Sequence, residues 1–146
     1  MILLDTDHLS ALKYEESEAF ARLSARMFAS ADQDFAATVI SFEEQMRGWL
    51  AVIARWNDPL RQVPAYEELA KLNEFYSRWK LVRFDERAAH ECARLRRLLP
   101  RVGTMDLKIA SIALSRDTLL LTANTRDFGL ASGLRIENWL APQAHS

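Results

Sequence analysis

In residues 1–10, MILLDTDHLS, an apolar run is followed directly by an acidic residue. Ile2–Leu4 is continuously apolar rather than alternating, which predicts a strand of a parallel sheet covered on both faces. Asp5 follows Leu4 without a linker, although a solubilising charge would serve equally well a few residues later, at Glu15 or Glu16. The rest of the chain must therefore supply the neighbouring strands and the groups that meet Asp5.

Four further apolar runs predict strands of the same buried kind. They are residues 37–40, 81–84, 119–121 and 134–136. Helical patterns lie between them, at residues 18–31, at residues 67–79 and in a segment preceded by Asp85 and closed by Pro100. This alternation predicts an α/β fold in one domain spanning residues 1–146. We expect a doubly wound, mostly parallel five-stranded central sheet flanked by helices.

Composition excludes several classes of protein. Nineteen basic and twenty acidic side chains give a net charge of −1, so any contact with nucleic acid must be local. One cysteine cannot form an internal disulfide. No apolar run approaches the roughly 18 residues of a membrane span, and the first run is too short for a signal peptide. We therefore expect a cytoplasmic protein without membrane contact.

Four acids occupy corresponding places, at the ends of predicted strands or at the starts of the helices that follow. They are Asp5, Glu44, Asp106 and Asp127. Because ligands of open α/β sheets lie outside the carboxyl ends of the strands, we expect these side chains to line one crevice. Three of them also have a structural explanation. Glu44 completes a capping-box pattern with Ser41. Asp106 suits a helix start, and Asp127 suits an Asx turn.

Carboxylates gathered in one crevice repel one another unless a cation neutralises them. Oxygen ligands favour a hard divalent ion such as Mg²⁺ or Mn²⁺. The three histidines, His8, His90 and His145, lack the spacing of a zinc site. For His8, the neighbouring Leu9 and Leu12 indicate the start of a packed helix rather than a ligand.

Four motifs along the chain have the order and spacing of a known family. They are Leu3-Leu4-Asp5-Thr6-Asp7, Ile40-Ser41-x-x-Glu44-x-x-x-Gly48, Asp106-x-x-Ile109-Ala110 and Thr122-x-Asn124-x-x-Asp127-Phe128. Together they resemble the PIN-domain ribonucleases, and specifically the VapC-type toxins of bacterial toxin–antitoxin pairs.

The resemblance implies a toxin endoribonuclease that hydrolyses RNA phosphodiester bonds with Mg²⁺ or Mn²⁺. The four acids would form the metal-binding and catalytic quartet. The supporting residues would be Thr6, Asp7, Ser41, Thr122 and Asn124. Asp7 stands where the family often has asparagine. The resemblance also implies a VapB-type antitoxin as partner and a homodimer.

Basic and aromatic residues outside the motifs leave alternatives open. Arg94, Arg97 and Arg101 fall at steps of three and four, which is typical of a solvated helix face or of a stripe that contacts RNA phosphates. The aromatic residues of the middle helices suit a core, and any exposed surplus suits a dimer or antitoxin interface. Two other functions fit the same acids: a catalytically inactive PIN-like module for RNA binding or assembly, and a metal phosphoesterase that acts on DNA.

Overall fold

The computed structural model describes residues 1–143. These residues form five strands and seven helices. The strands are β1 (Ile2–Leu4), β2 (Phe35–Thr38), β3 (Leu81–Val82), β4 (Leu119–Leu121) and β5 (Ile136–Glu137). The helices are α1 (Thr6–Ala11), α2 (Glu18–Ala29), α3 (Val39–Ala54), α4 (Pro59–Ser77), α5 (Glu86–Leu98), α6 (Thr104–Ser115) and α7 (Thr125–Phe128). His145 lies outside the described residues.

The strands form one parallel sheet in the order β3-β2-β1-β4-β5. The chain builds outward from β1 to β2 and β3, then crosses to the other side for β4 and β5. This confirms the predicted doubly wound α/β fold and puts its topological switch point between β1 and β4. The Asp5 N–H donates to the Leu121 carbonyl at 2.9 Å, so the carboxyl ends of these two strands lie side by side.

Apolar layers cover both faces of the sheet. Successive strand residues point to opposite faces, so Leu3 and Leu120 pack into one layer while Leu4 and Leu121 pack into the other. Helix α6 has six buried residues among its twelve. None of the helices in the described part of the chain is long and apolar enough to cross a membrane.

The strand predicted at residues 37–40 ends earlier, because the chain turns into α3 after Thr38. The Thr38 hydroxyl caps that helix by accepting a hydrogen bond from the Ser41 N–H at 3.2 Å. Val39 and Ile40 have the β-branched character of a strand but form the first turn of the helix instead. The predicted capping box of Ser41 and Glu44 is therefore wrong, and Glu44 lies in the second turn.

Other boundaries differ where caps or sheet edges decide them. Helix α4 begins at Pro59, eight residues before the predicted start, because Asp58 caps it and proline is favoured in the first turn. The predicted cap of α5 is confirmed, since Asp85 accepts from the Ala88 N–H at 3.0 Å. Both edge strands, β3 and β5, are two residues long and therefore shorter than their apolar runs predict.

Replacing Thr38 by Val is expected to lower the free energy of unfolding by about 1 kcal/mol, because the first turn of α3 loses its cap. Ser41→Ala is expected to cost less, since the Ser41 hydroxyl is not the cap. Urea denaturation of both variants measures the difference. A larger loss in Ser41→Ala would restore Ser41 as the capping residue.

Candidate functional site

The four predicted acids meet at the carboxyl edge of the sheet. Asp5 caps α1 directly after β1, and Glu44 lies on α3, which follows β2. Asp106 lies in the first turn of α6, and Asp127 lies in α7, which follows β4. The switch point thus places side chains from distant parts of the sequence beside one another.

Asp5 is the most enclosed of these acids, with 5% of the residue exposed. One carboxylate oxygen accepts from the Thr6 N–H at 2.7 Å, and the other accepts from the Thr122 hydroxyl at 2.8 Å. Burial, followed by repulsion from Asp7, raises the pKa of Asp5 to about 7, although these hydrogen bonds oppose the rise. The carboxylate is therefore held in place but poorly compensated in charge.

Asn124 connects the remaining acids of this edge. Its side-chain NH₂ donates to Asp106 at 3.1 Å and to Asp127 at 3.3 Å. Its backbone N–H donates to the Thr122 hydroxyl at 3.0 Å, and that hydroxyl donates to Asp5. One continuous chain of hydrogen bonds therefore runs from Asp5 to Asp106 and Asp127.

Glu44 joins the group through α1. The Thr6 hydroxyl donates to a Glu44 carboxylate oxygen at 2.6 Å and lies 3.1 Å from the Ser41 hydroxyl. Because Thr6 directly follows Asp5, this contact ties the first acid of the chain to the second. Four of the predicted supporting residues thus contact the acids or one another, namely Thr6, Ser41, Thr122 and Asn124.

Asp7 faces a different set of groups. Its carboxylate lies 2.6 Å from Nδ1 of His8 and accepts from the Ala123 N–H at 2.8 Å. The backbone N–H of Trp139 donates to the other ring nitrogen of His8, Nε2, at 3.1 Å. Nδ1 therefore carries the proton that is donated to Asp7. His8 is fully buried, in agreement with its interpretation as part of a packed helix.

Asp106 shares the electrostatic strain of the site. Burial, followed by repulsion from Glu44, raises the pKa of Asp106, while the Asn124 hydrogen bond lowers it. Asp127 and Asp7 add smaller repulsions in the same direction. The raised pKa values of Asp5 and Asp106 have the same origin, namely negative charges in a partly dry crevice, and a bound cation would relieve both.

Tyr76 was not recognised in the sequence as a neighbour of the acids. It is 2% exposed, and its hydroxyl has no hydrogen-bond partner among the described residues. Its ring packs edge-on against Phe42, with centroids 5.1 Å apart. Burial, followed by the charges of Glu44 and Asp5, raises the pKa of the Tyr76 hydroxyl. No local pattern could reveal this neighbour, since α4 reaches the site only through tertiary packing.

Arg96 is a second residue that the sequence left without a role. Its guanidinium donates to the Val102 carbonyl and to the Thr104 hydroxyl, each at 3.0 Å. These bonds fasten the turn that precedes α6 and therefore the start of the helix that carries Asp106. The only signal in the sequence was the presence of Arg96 among other arginines.

The predicted RNA-contacting arginines do not form one helical stripe. Arg94 is exposed on α5 and pairs with Glu91, with Nε 3.2 Å from the carboxylate. Arg97 is also exposed on α5, but Arg101 lies beyond the helix end at Leu98. The step of four between Arg97 and Arg101 is therefore not a helical step, because Pro100 and the turn before α6 interrupt it.

The donor set suits a hard divalent cation. In residues 1–143, no three His, Cys, Asp or Glu side chains are arranged to hold one ion as they stand. Mg²⁺ is commonly bound by one or two carboxylates, with water and substrate oxygens as its other ligands. Asp5 and Asp106 supply such carboxylates, and their raised pKa values reflect charge that such an ion would neutralise.

The metal-free protein is expected to lose stability, on the order of 2–3 kcal/mol, as the pH rises from about 5 to about 8. The folded-state pKa of Asp5, about 7, lies above its ordinary value of 3.8, so the folded state binds this proton more tightly than the unfolded state. Stability is therefore present at low pH and is lost as the pH rises through about 7. Thermal unfolding with EDTA measures this slope.

Asp5→Asn should flatten the slope, because the residue no longer titrates. Glu67→Gln, an exposed position on α4, should leave it unchanged. An equal slope in Asp5→Asn and in the parent would show that Asp5 is not the source.

Comparison with known proteins identifies the family. The model for the PIN domain matches residues 2–132. The tRNA(fMet)-specific endonuclease VapC of Shigella flexneri is 39% identical over 75 residues, which are 49% of this chain and 57% of the relative. The chain thus spans about half the length of the curated relatives it matches.

Solved structures share the fold over nearly the whole chain. DNA-bound VapBC from Salmonella typhimurium matches with a TM-score of 0.70 and 26% identity, covering 94% of this chain and 97% of that one. VapBC2 from Rickettsia felis, bound to a DNA fragment from its promoter, matches with a TM-score of 0.69 and 23% identity, covering 95% and 99%. The shared sheet and the family match across most of the sequence lead to one conclusion: this chain belongs to the PIN domain family.

Proposed function

We propose that this protein is a VapC-type toxin endoribonuclease that hydrolyses RNA phosphodiester bonds with the help of a divalent metal ion. The observation that carries the proposal is the hydrogen-bonded chain from Asp5 through Thr122 and Asn124 to Asp106 and Asp127. It gathers acids with raised pKa values at the switch point of an α/β sheet, where ligands of such folds bind. The name of the VapC relative from Shigella flexneri describes the same class of activity.

Mg²⁺ or Mn²⁺ would be held by Asp5 and Asp106, with Asp127 and Glu44 as further ligands directly or through water. When bound, the ion supplies an activated water and stabilises the charge that develops on the phosphate and on the leaving oxygen. No covalent nucleophile on the protein is needed for this chemistry.

The supporting residues hold the acids in place before substrate arrives. Thr122 and the Thr6 N–H fix both oxygens of Asp5, and the Thr6 hydroxyl orients Glu44. The Asn124 amide sets the distance between Asp106 and Asp127. Such preorganisation matters because a ligand set that must first be ordered binds its ion and its substrate more weakly.

The same proposal includes partners. We expect a VapB-type antitoxin, because the similar solved structures include VapBC complexes. A homodimer is supported by exposed apolar residues on α4, where Leu60 is 81%, Val63 59% and Tyr66 54% exposed. A cytoplasmic location accords with an RNA substrate and remains an expectation.

The purified protein, freed of antitoxin, is expected to cut RNA into discrete fragments in Mg²⁺ or Mn²⁺. The first substrates are tRNA(fMet), which the VapC relatives' names specify, and total bacterial RNA. EDTA should abolish cleavage, and Asp106→Asn should reduce its rate by more than about 100-fold, beyond the usual effect of a residue that only supports a metal ligand. Gel analysis and sequencing of the fragment ends measure both effects.

Controls separate the competing functions. Asp34→Asn, an exposed acid away from the site, should cleave like the parent. Undiminished cleavage in Asp106→Asn would rule out the proposed quartet. Cleavage of DNA but not of RNA of the same sequence would indicate a DNA phosphoesterase, and RNA binding without cleavage would indicate a catalytically inactive module.

Replacing Asn124 by Ala is expected to reduce cleavage by about 10- to 100-fold and to weaken metal binding, because Asp106 and Asp127 lose the amide between them. Thermal stabilisation by Mn²⁺, measured alongside the cleavage rate, reports the metal affinity. A variant with reduced cleavage but parental metal stabilisation would show that Asn124 acts on substrate instead.

A further inference from the structure

A pocket of about 290 Å³ lies between the end of α1, the loop that follows it and the middle of α3. Its walls include Lys13, Tyr14, Gln45, Gly48 and Trp49. Lys13 and Tyr14 belong to the loop between α1 and α2, and the other three residues lie on α3. The volume is at the lower end of the range for small-ligand sites.

The pocket lies further along α1 and α3 than Asp5 and Glu44. Thr6 contacts Glu44 where α1 and α3 meet, and one turn further along α1 the Ser10 hydroxyl accepts a hydrogen bond at 3.0 Å from the amide of Gln45, the residue after Glu44. Gly48 is four residues beyond Glu44, so it lies on the same face of α3, roughly 6 Å further along the axis. A polymer that crosses the acids can therefore reach the pocket with its next units.

Gly48 has no packing reason to be glycine. It lies inside α3, where glycine destabilises a helix relative to alanine. It is exposed, and a Cβ built on it would meet no atom within 4 Å. The helical backbone there does not need the conformational freedom of glycine. The missing side chain therefore leaves room for something outside the chain.

The groups around this space suit a nucleobase with its phosphate. Tyr14 is 68% exposed, and the half-buried Trp49 offers a second ring. Lys13 donates a hydrogen bond to Gln45 at 2.8 Å, and its ammonium lies 5.2 Å from the centroid of the Phe75 ring, so it is held at the edge of the pocket as a cation with N–H capacity for a phosphate. Aromatic faces beside a cation are the usual means of holding single-stranded RNA.

The charges also indicate on which side of Lys13 and Tyr14 an RNA strand would lie. Lys13 is the only charged residue among the described residues that line this pocket. A second cavity of about 500 Å³ on the α4 side of Lys13 and Tyr14 is lined by Glu15, Glu68 and Glu74 as well as by basic residues. In that cavity three carboxylates balance three cations, whereas the pocket over Gly48 has the cation of Lys13 and no carboxylate in its lining, so the strand is expected to stay on the α3 side.

We propose that the pocket over Gly48 binds a nucleobase of a single-stranded RNA substrate close to the cleaved bond, with the base stacked on Tyr14 or Trp49 and Lys13 contacting its phosphate. The proposal rests on the proposed function and names a base-recognition subsite for it. The subsite gives the enzyme contact with the unpaired bases of its target in addition to the phosphate at the acids.

The test measures binding separately from cleavage. A short labelled single-stranded RNA of mixed sequence is titrated by fluorescence anisotropy against the full chain carrying Asp106→Asn, which prevents cleavage. Tyr14→Ala and Gly48→Ala are added to this background, and Phe28→Ala serves as the control because Phe28 is an exposed aromatic residue on α2 outside the lining of this pocket. The same RNA with abasic residues reports whether a base is recognised.

Tyr14→Ala is expected to raise the Kd for the intact RNA by roughly 5- to 150-fold, the usual effect of losing one stacked base. Gly48→Ala is expected to raise it by about fivefold or more, and also to raise the melting temperature by about 1–4 °C, since alanine favours the helix. Neither change should affect the abasic RNA to the same extent, and Phe28→Ala should bind like the parent.

Unchanged RNA binding in both pocket variants, while the parent with its intact acids still cleaves RNA, would overturn the subsite and leave the proposed function standing. The same result together with weakened binding of the antitoxin would assign the pocket to that partner instead. A parent that neither binds nor cleaves RNA would overturn the proposed function and the subsite together.

Discussion

The hydrogen bond from the Thr122 hydroxyl to Asp5, 2.8 Å long, is the interaction on which the site depends. It joins the ends of β1 and β4, the two strands between which the strand order of the sheet reverses. Without it, Asp5 would be a buried carboxylate with one backbone donor, and Asn124 would lose the acceptor of its N–H. The positions of Asp106 and Asp127 follow from Asn124, so one threonine hydroxyl links the order of the sheet to the arrangement of the acids.

The fold and the four acids could be predicted because each leaves a local mark. Buried parallel strands are short apolar runs, and an acid directly after such a run indicates the ligand edge of the sheet. The start of α3 could not be predicted in the same way. Val39 and Ile40 favour a strand locally, and only the Thr38 hydroxyl, paired with the Ser41 N–H, decides that the helix begins there. Boundaries of this kind depend on one hydrogen bond rather than on a pattern.

Contacts between distant parts of the chain could also not be predicted from the sequence. His8 accepts from the backbone N–H of Trp139, 131 residues away, and no local pattern indicates this partner, although the buried position of His8 was predicted. Tyr76 comes near the acids through the packing of α4 against α3, and it is buried where the charges of Glu44 and Asp5 raise the pKa of its hydroxyl. The site thus combines carboxylates with a buried, apolar surrounding. This environment disfavours their ionisation and strengthens their attraction to a cation.

The order in which the acids occur along the chain has a consequence for synthesis on the ribosome. Asp5 emerges first, but Thr122, Asn124 and Asp127 lie after residue 121, on the far side of β4. A growing chain that has not yet released β4 has neither the strand that pairs with β1 nor the hydroxyl that holds Asp5. A nascent polypeptide therefore has no assembled site until the chain has been translated past Asp127, however early Asp5 was made.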